Sequence, residues 1–171
     1  MKKKFVKLLV FAIILFLANN LFLIIYNEHN NKKVVDAYYN NPSSFNSGDM
    51  ILVIPSIKLK RIVKHAKDDF SNLNNNLVYY KNNNSGGTIF IFGHSGMGYG
   101  TFFNRINELT INDICFLHIG KSKIKYKFIS SYIVDEKDTD ILEDKSDKLL
   151  LITCLKNNPK KRLVIEMKKS Y

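Results

Sequence analysis

Cys154, Arg162 and His94 are the residues whose types and positions could carry covalent chemistry. Cys154 directly follows the apolar run Lys148 to Thr153, and a cysteine thiolate is a strong nucleophile. Arg162 opens another β-type run, and its guanidinium keeps its charge and a planar fork of donors. His94 follows the run Thr88 to Phe92, and an imidazole beside a thiol can lower its pKa or protonate a leaving amine. Together the three side chains predict a Cys–His nucleophilic site.

Each of these residues also has an ordinary structural explanation. A lone cysteine near the end of an apolar run is usually packed in a core. A lone histidine after a strand is commonly a hydrogen-bonded loop residue, and a lone arginine at a strand start is commonly solvated. Residue types and spacing alone leave these alternatives open.

The elements that would position these residues are short β-type runs separated by polar breaks. Eight strands suffice for a barrel or a sandwich. One helix is expected at Thr101 to Leu109, where Phe102, Ile106 and Leu109 share a face, and a short turn near Asp138 to Leu142. The predicted runs are Met50 to Ile54, Leu59 to Val63, Leu77 to Tyr80, Thr88 to Phe92, Ile114 to Ile119, Ile124 to Val134, Lys148 to Thr153 and Arg162 to Met167.

The run that precedes Cys154 reads Leu-Leu-Leu-Ile-Thr and predicts a central strand buried on both faces. A thiol at the end of such a strand is held rigidly and needs little reorganisation to attack. The connection to Arg162 contains Asn157, Asn158 and Pro159, which are turn-forming residues. Antiparallel strands joined there would bring Arg162 near Cys154.

The N-terminus contains an apolar run from Phe5 to Tyr26, about 22 residues, which is long enough to span a bilayer. It exceeds a signal peptide's apolar region and lacks a small-residue cleavage site after it, so we expect an uncleaved signal-anchor. Lysines before the run predict a cytoplasmic N-terminus and an extracytoplasmic remainder. The predicted organisation is residues 1–26 as cytoplasmic N-terminus and transmembrane segment, 27–48 as stalk and 49–171 as one catalytic domain.

The formal net charge of +11 suits an anionic partner surface, but no nucleic-acid-binding motif accompanies it. We therefore expect no nucleic-acid partner. The two cysteines match no CxxC spacing. One disulfide is possible by count; we favour a reactive Cys154 and a buried Cys115. His118 and His65 lack the glycine-flanked strand-end setting of His94 and are weaker candidates.

The sequence resembles the sortase family. Leu150-Leu151-Ile152-Thr153-Cys154 resembles the TLxTC signature, and Arg162 opens the next strand as in that family. Gly93-His94-Ser95 matches the family's GH motif, and the order His, Cys, Arg is the family's order. Further similarities cover about Asp49 to Met167: Ile54-Pro55-Ser56-Ile57, Gly86-Gly87 before the histidine strand, and Phe102 to Asp113.

The resemblance implies an all-β fold with one or two short helices, a closed eight-stranded barrel behind an N-terminal transmembrane helix. It implies a membrane-anchored cysteine transpeptidase that cleaves an LPxTG-like sorting signal through a thioacyl intermediate. Cys154 would be the nucleophile, His94 the general acid and base, and Arg162 the group that stabilises the oxyanion and substrate; Thr153 would position the substrate backbone.

The implied partners are a sorting-signal peptide of a secreted surface protein, an amine from a cell-wall precursor, and the cell membrane. We expect no cofactor and no metal, and leave calcium dependence open. Leu150 replaces the first Thr of the signature, and the stretch from Val134 to Lys148 is short for a long inserted helix. The subclass stays open between class B-like and class D-like. A surface cysteine hydrolase and a non-catalytic membrane-tethered barrel are the competing hypotheses.

Overall fold

A computed structural model describes residues 2–42, 48–81, 87–98 and 100–170 of the chain. One long helix, α1, precedes eight strands. Short 3₁₀ turns lie between several strands, including Ile106–Glu108 and Asp140–Glu143. The helix and strands are α1 (Lys2–Asn40), β1 (Met50–Ile54), β2 (Leu59–His65), β3 (Leu77–Tyr80), β4 (Ile89–Phe92), β5 (Ile114–Ile119), β6 (Ser122–Asp135), β7 (Lys148–Leu155) and β8 (Asn158–Ser170).

The eight strands close into a barrel in the order β1-β2-β3-β4-β7-β8-β6-β5. Two neighbouring pairs, β2–β3 and β4–β7, are parallel, and the other pairs are antiparallel. Closure leaves every strand with two partners, so the backbone groups of the sheet are paired without exposed edges over most of their length. The predicted eight-stranded closed barrel is confirmed.

Alternation along each strand separates an interior from an exterior set of apolar side chains. In β7, Leu149 and Leu151 belong to the barrel core, together with Ile91 of β4 and Ile165 of β8. Leu150 and Ile152 belong to a second cluster outside the barrel, with Phe90 and Val164. Strand β7 is therefore buried on both faces, as its continuous apolar run predicts.

Helix α1 contains an apolar segment with a mean hydropathy of 2.8 and is long and apolar enough to cross a membrane. It does not end with that segment but continues to Asn40, through most of the stretch predicted to be a stalk. Val35 and Tyr38 are buried against Ile51, on the outer face of β1. The last turns of α1 thus pack directly on the barrel.

Polar side chains of α1 also bind the open flank of β2. The Asn31 amide donates to the Lys60 carbonyl (3.0 Å) and accepts from the Ile62 N–H (3.3 Å). These groups lie before the residues of β2 that pair with β3, so the Asn31 side chain takes the place of a neighbouring strand. Glu28 pairs with the Arg61 guanidinium, which stacks on the Phe102 ring at 4.1 Å.

The predicted helix at Thr101 to Leu109 is wrong in type and length, because the segment forms turns and only Ile106–Glu108 is 3₁₀ helix. The Phe103 N–H donates to the His94 carbonyl (2.9 Å) instead of to the preceding turn. The Asn104 side chain accepts from the Gly96 N–H (2.7 Å) and donates to Thr101 Oγ1 (3.0 Å). Such side-chain bonds compete with helix formation.

Gly86, which was quoted above for the family resemblance, lies outside the described residues.

Candidate active site

Cys154 lies near the end of β7, on the outside of the barrel. It shares its face with Leu150 and Ile152 because side chains two residues apart point the same way. Both of those neighbours are buried in the exterior cluster, whereas Cys154 is partly exposed. The thiol is therefore partly exposed at the end of a strand whose preceding side chains on the same face are buried.

Arg162 lies directly opposite Cys154 in the antiparallel pair β7–β8. Directly opposed residues of antiparallel strands place their side chains on the same face, with Cβ atoms about 5 Å apart. The turn through Asn157 and Asn158 closes this pair, and a register shift lies just beyond Cys154. The structure thus brings Arg162 and Cys154 together, as the turn signals between them predict.

His94 follows β4, which runs parallel to β7. Gly93 continues the pairing: its N–H donates to the Ile152 carbonyl (3.1 Å). A Cβ atom at Gly93 would lie 2.5 Å from Leu77 and 2.7 Å from Phe103, so only glycine fits at this position. His94 is thereby held at the end of β4, next to the end of β7.

Thr153 and Ser95 tie the two strand ends together. The Thr153 hydroxyl is buried and donates to the Gly93 carbonyl at 2.7 Å. The Ser95 hydroxyl donates to the Cys154 carbonyl at 2.5 Å. These bonds join the residues on either side of His94 to Thr153 and Cys154. They therefore hold the ends of β4 and β7 at a fixed spacing. The predicted contact of Thr153 with a substrate backbone stays a prediction.

All four predicted site residues line one cavity of about 240 Å³ on the outer face of the barrel. Its walls come from β4, β7 and β8, from the end of β6, and from the segment that joins β6 to β7. The lining contains both apolar side chains and carboxylates. The lining residues include Phe92, His94, Val134, Glu136, Ile141, Leu142, Ile152, Thr153, Cys154 and Arg162.

A second cavity of about 270 Å³ also reaches Cys154. It shares only Thr153 and Cys154 with the first cavity, and its other lining residues include Ser95, Asn104 and Lys156. Cys154 therefore lies between two separate cavities.

Three acceptors hold the Arg162 guanidinium. Nη1 donates to the Pro159 carbonyl (2.6 Å) and to the Lys161 carbonyl (3.2 Å), and Nη2 donates to Glu136 Oε2 (3.2 Å). Glu136 was not identified from the sequence. Its only sequence signal is a carboxylate just after a long β-type run, and register alone brings it beside Arg162.

Cys115 and two histidines lie away from this site. Cys115 is fully buried in the barrel core and is not disulfide-bonded, and burial raises the pKa of its thiol. His118 contacts Tyr38 and Tyr39 of α1, and His65 packs on Tyr79. The described residues contain no group of three His, Cys, Asp or Glu side chains suited to a metal ion.

The Sortase domain family matches residues 52–170, most of the chain and nearly all of the barrel. The chain belongs to the sortase family. Membership supports a cysteine transpeptidase, and the residues quoted above for the sortase resemblance lie in or next to the matched range. No curated protein matches the chain.

Solved sortase structures share this fold at low sequence identity. Sortase C-1 from Actinomyces oris is 19% identical over 86% of this chain and 99% of its own, with a TM-score of 0.63. Sortase D5 transpeptidase from Clostridium perfringens is 18% identical over 82% and 98%, with a TM-score of 0.67. Listeria monocytogenes sortase A is 18% identical over 74% and 89%, with a TM-score of 0.62. Three differently named sortases match about equally, so the comparison assigns no subclass.

Proposed function

We propose that this sortase cleaves an LPxTG-like sorting signal and transfers the released acyl group to an amine of the cell wall, using Cys154, His94 and Arg162. The observation that carries the proposal is the pairing of Cys154 with Arg162 across β7 and β8, in one cavity with His94. Family membership supports the reaction class. The three side chains supply a nucleophile, a proton carrier and a fixed cation.

In the first step the Cys154 thiolate attacks the carbonyl carbon of the scissile peptide bond. The carbonyl oxygen becomes an oxyanion, and the Arg162 guanidinium stabilises its charge. When the C–N bond breaks, the His94 imidazolium gives its proton to the leaving amine. The products are a thioester on Cys154, a free amine and a neutral His94.

In the second step the acceptor amine attacks the thioester carbonyl. His94 takes the proton from the attacking nitrogen, and the C–S bond breaks to return the Cys154 thiolate. The new amide leaves, and the imidazolium is restored. The cavity that Cys154 lines together with Ser95 and Lys156 is the space that we assign to this second substrate.

We further propose that α1 anchors the enzyme in the cell membrane of a Gram-positive cell, with the N-terminus in the cytoplasm. The apolar segment of α1 supports the anchor, and the lysines that precede it favour this orientation. Residues 27–48 and 49–171 would then lie outside the membrane. Secreted proteins and wall precursors would meet the active site there.

The test uses the full chain in detergent micelles with a library of sorting peptides, with and without added amine. We expect a thioacyl adduct on Cys154 by mass spectrometry and amide products when amine is present. Cys154→Ala should form no adduct, while Cys115→Ala should behave as the wild type. His94→Ala and Arg162→Ala should each lower kcat/KM by at least about 100-fold. Failure of the wild type to form an adduct with any peptide of the library would refute the proposal.

The same experiment separates transpeptidation from hydrolysis. A surface cysteine hydrolase would form the adduct and release only free acid, whatever amine is added. We expect amide products to replace the acid as the amine concentration rises.

A further inference from the structure

The Arg162 guanidinium is bound by acceptors of the protein itself. It has five N–H donors. Two on Nη1 bind the carbonyls of Pro159 and Lys161, and one on Nη2 binds Glu136. Among the residues that the structure describes, no acceptor binds Nε–H or the second Nη2–H, so these two donors are available to a substrate oxygen in the cavity that Arg162 lines.

Glu136 is the charged member of these three acceptors, and its own position is fixed by the strands. Its N–H donates to the Lys160 carbonyl (2.8 Å), which extends the β6–β8 pairing by one residue. The side chain is about one third exposed, so water and salt weaken the ion pair without removing its directional hydrogen bond. The contact with Glu136 therefore acts mainly by orienting the Arg162 guanidinium, and less by adding charge.

The neighbouring carboxylate provides a natural comparison. Asp135 lies one residue earlier and pairs with Lys161 at 3.5 Å. Both carboxylates lie at the same end of β6, line the same cavity and face a cation of β8. Only the Glu136 pair involves a side chain opposite Cys154.

We propose that Glu136 is the positioning residue of Arg162: it orients the guanidinium so that its remaining donors meet the oxyanion formed at Cys154. This inference rests on the proposed function. A donor already aligned before the reaction needs no reorganisation when charge develops, so its loss raises the barrier of the chemical step. Binding of the ground-state substrate is affected less, so the change falls on kcat and not on KM.

A direct test observes the guanidinium without any substrate. The chain contains only three arginines, Arg61, Arg105 and Arg162, so arginine-selective ¹⁵N labelling of the full chain in micelles gives three Nε–H signals. We expect Glu136→Ala to lower the order parameter of Arg162 Nε–H and to leave the other two unchanged. Glu136→Gln keeps an acceptor and should restore most of the order; Asp135→Ala should change none of the three signals.

The kinetic test uses the best peptide of the sorting library. We expect Glu136→Ala to lower kcat by about tenfold with KM within about twofold, and Glu136→Gln to recover most of kcat. Glu108→Ala removes a carboxylate that pairs with Arg105 and lines neither cavity, so it should match the wild type. In an Arg162→Lys background, Glu136→Ala should cause no further loss, because the residue acts through the guanidinium. An unchanged order parameter, an unchanged kcat, or an equal loss in the Arg162→Lys background would overturn the inference. If the wild type turns over no peptide, the proposed function fails, while the NMR measurement still decides the role of Glu136.

Discussion

The two thiols of this chain lie in opposite environments. Cys115 has no exposed surface and is surrounded by the barrel core, where burial raises the pKa of its thiol. Cys154 is partly exposed at the junction of two cavities. Only a deprotonated and accessible sulfur reacts quickly with electrophiles, so the same side chain is inert at one position and available at the other.

We expect iodoacetamide at neutral pH to label Cys154 at least about 100 times faster than Cys115, because reactivity follows thiolate content and access. The measurement is peptide mass spectrometry of the full chain over time. Cys154→Ala should remove the fast phase, and unfolding in denaturant should make both cysteines react. Equal, slow labelling of both thiols in the native protein would favour a non-catalytic barrel.

The hydroxyl of Thr153 makes one buried hydrogen bond, to Gly93 at 2.7 Å. Thr153→Val preserves the shape and leaves the Gly93 carbonyl without this donor, which should cost about 1–3 kcal/mol of unfolding free energy. Thr153→Ser keeps the donor and is the matched control. We also expect the valine variant to lose kcat, since the bond ties the residue before His94 to the residue before Cys154.

Thermal unfolding of both variants, followed by near-UV circular dichroism, checks this prediction together with peptide turnover. A valine variant as stable as the serine variant would show that the bond contributes nothing to the native state. A valine variant that loses stability but keeps kcat would separate the fold from the site.

At the scale of elements, the strands were predictable because each is a short apolar run between polar breaks. The Cys154–Arg162 pair followed from one turn and one antiparallel hairpin. The parallel pairs β2–β3 and β4–β7 were not predictable, since they join strands that are distant in sequence and no local signal encodes them. His94 reaches the site through such a pair, so the strand pattern alone could not place it beside Cys154.

Two further features of these elements could not be predicted from the sequence. Phe102, Ile106 and Leu109 follow a helical period, but Asn104 and Thr101 bind one another and hold the segment in turns. Glu136 could not be assigned either. Its partner is set by the pairing of β6 with β8, which includes a register shift near Ser130 that the sequence does not mark.

His118 of β5 joins the barrel to α1 and carries a pH dependence. Burial, with added repulsion from Lys123 and Lys60, lowers the pKa of this imidazole, and the Tyr39 hydroxyl lies 3.3 Å from its Nε2. The folded protein binds a proton here less readily than the unfolded chain does. The contribution to stability is therefore complete above about pH 6.5, the usual pKa of histidine, and is lost as the pH falls toward the lowered value.

We expect the melting temperature to fall between about pH 7.5 and pH 5.5, and to fall less in His118→Gln, which cannot acquire this charge. The measurement compares thermal unfolding of the two proteins across this range. His29→Gln serves as a matched control in α1. Parallel curves for the wild type and His118→Gln would contradict the prediction.

At the scale of the whole molecule, the helix that begins in the apolar segment is the same helix that packs on the barrel. Glu28, Asn31, Val35 and Tyr38 recur at spacings of three and four residues, which places them on one face of α1. That face contacts β1 and β2. The polar composition of residues 27–40 predicted a stalk, because composition does not show that one face of a helix packs against another element.

Because α1 is one continuous helix, an inserted residue should rotate the part before it relative to the part after it. One alanine inserted between Tyr26 and Asn27 turns the apolar segment by about 100° relative to the barrel and leaves the contacts of Glu28, Asn31, Val35 and Tyr38 in place. One alanine inserted between Lys32 and Lys33 turns Val35 and Tyr38 away from Asn31 by the same angle. We expect the second insertion, and not the first, to lower the melting temperature and the hydrogen-exchange protection of the Ile62 amide. Equal effects of the two insertions would show that α1 is not docked as a unit.

Docking of α1 also fixes the distance between the barrel and the end of the apolar segment. The helix rises about 1.5 Å per residue, so Val35 stands about 14 Å along the axis from Tyr26. If the apolar segment lies in lipid, the barrel is held close to the headgroups and moves with the segment, not on a tether of variable reach. Such an enzyme would sample a thin layer parallel to the membrane, and the bond that it cuts would have to enter that layer. Selection among secreted chains would then depend on how far each one presents its signal from the lipid, in addition to the signal's own residues.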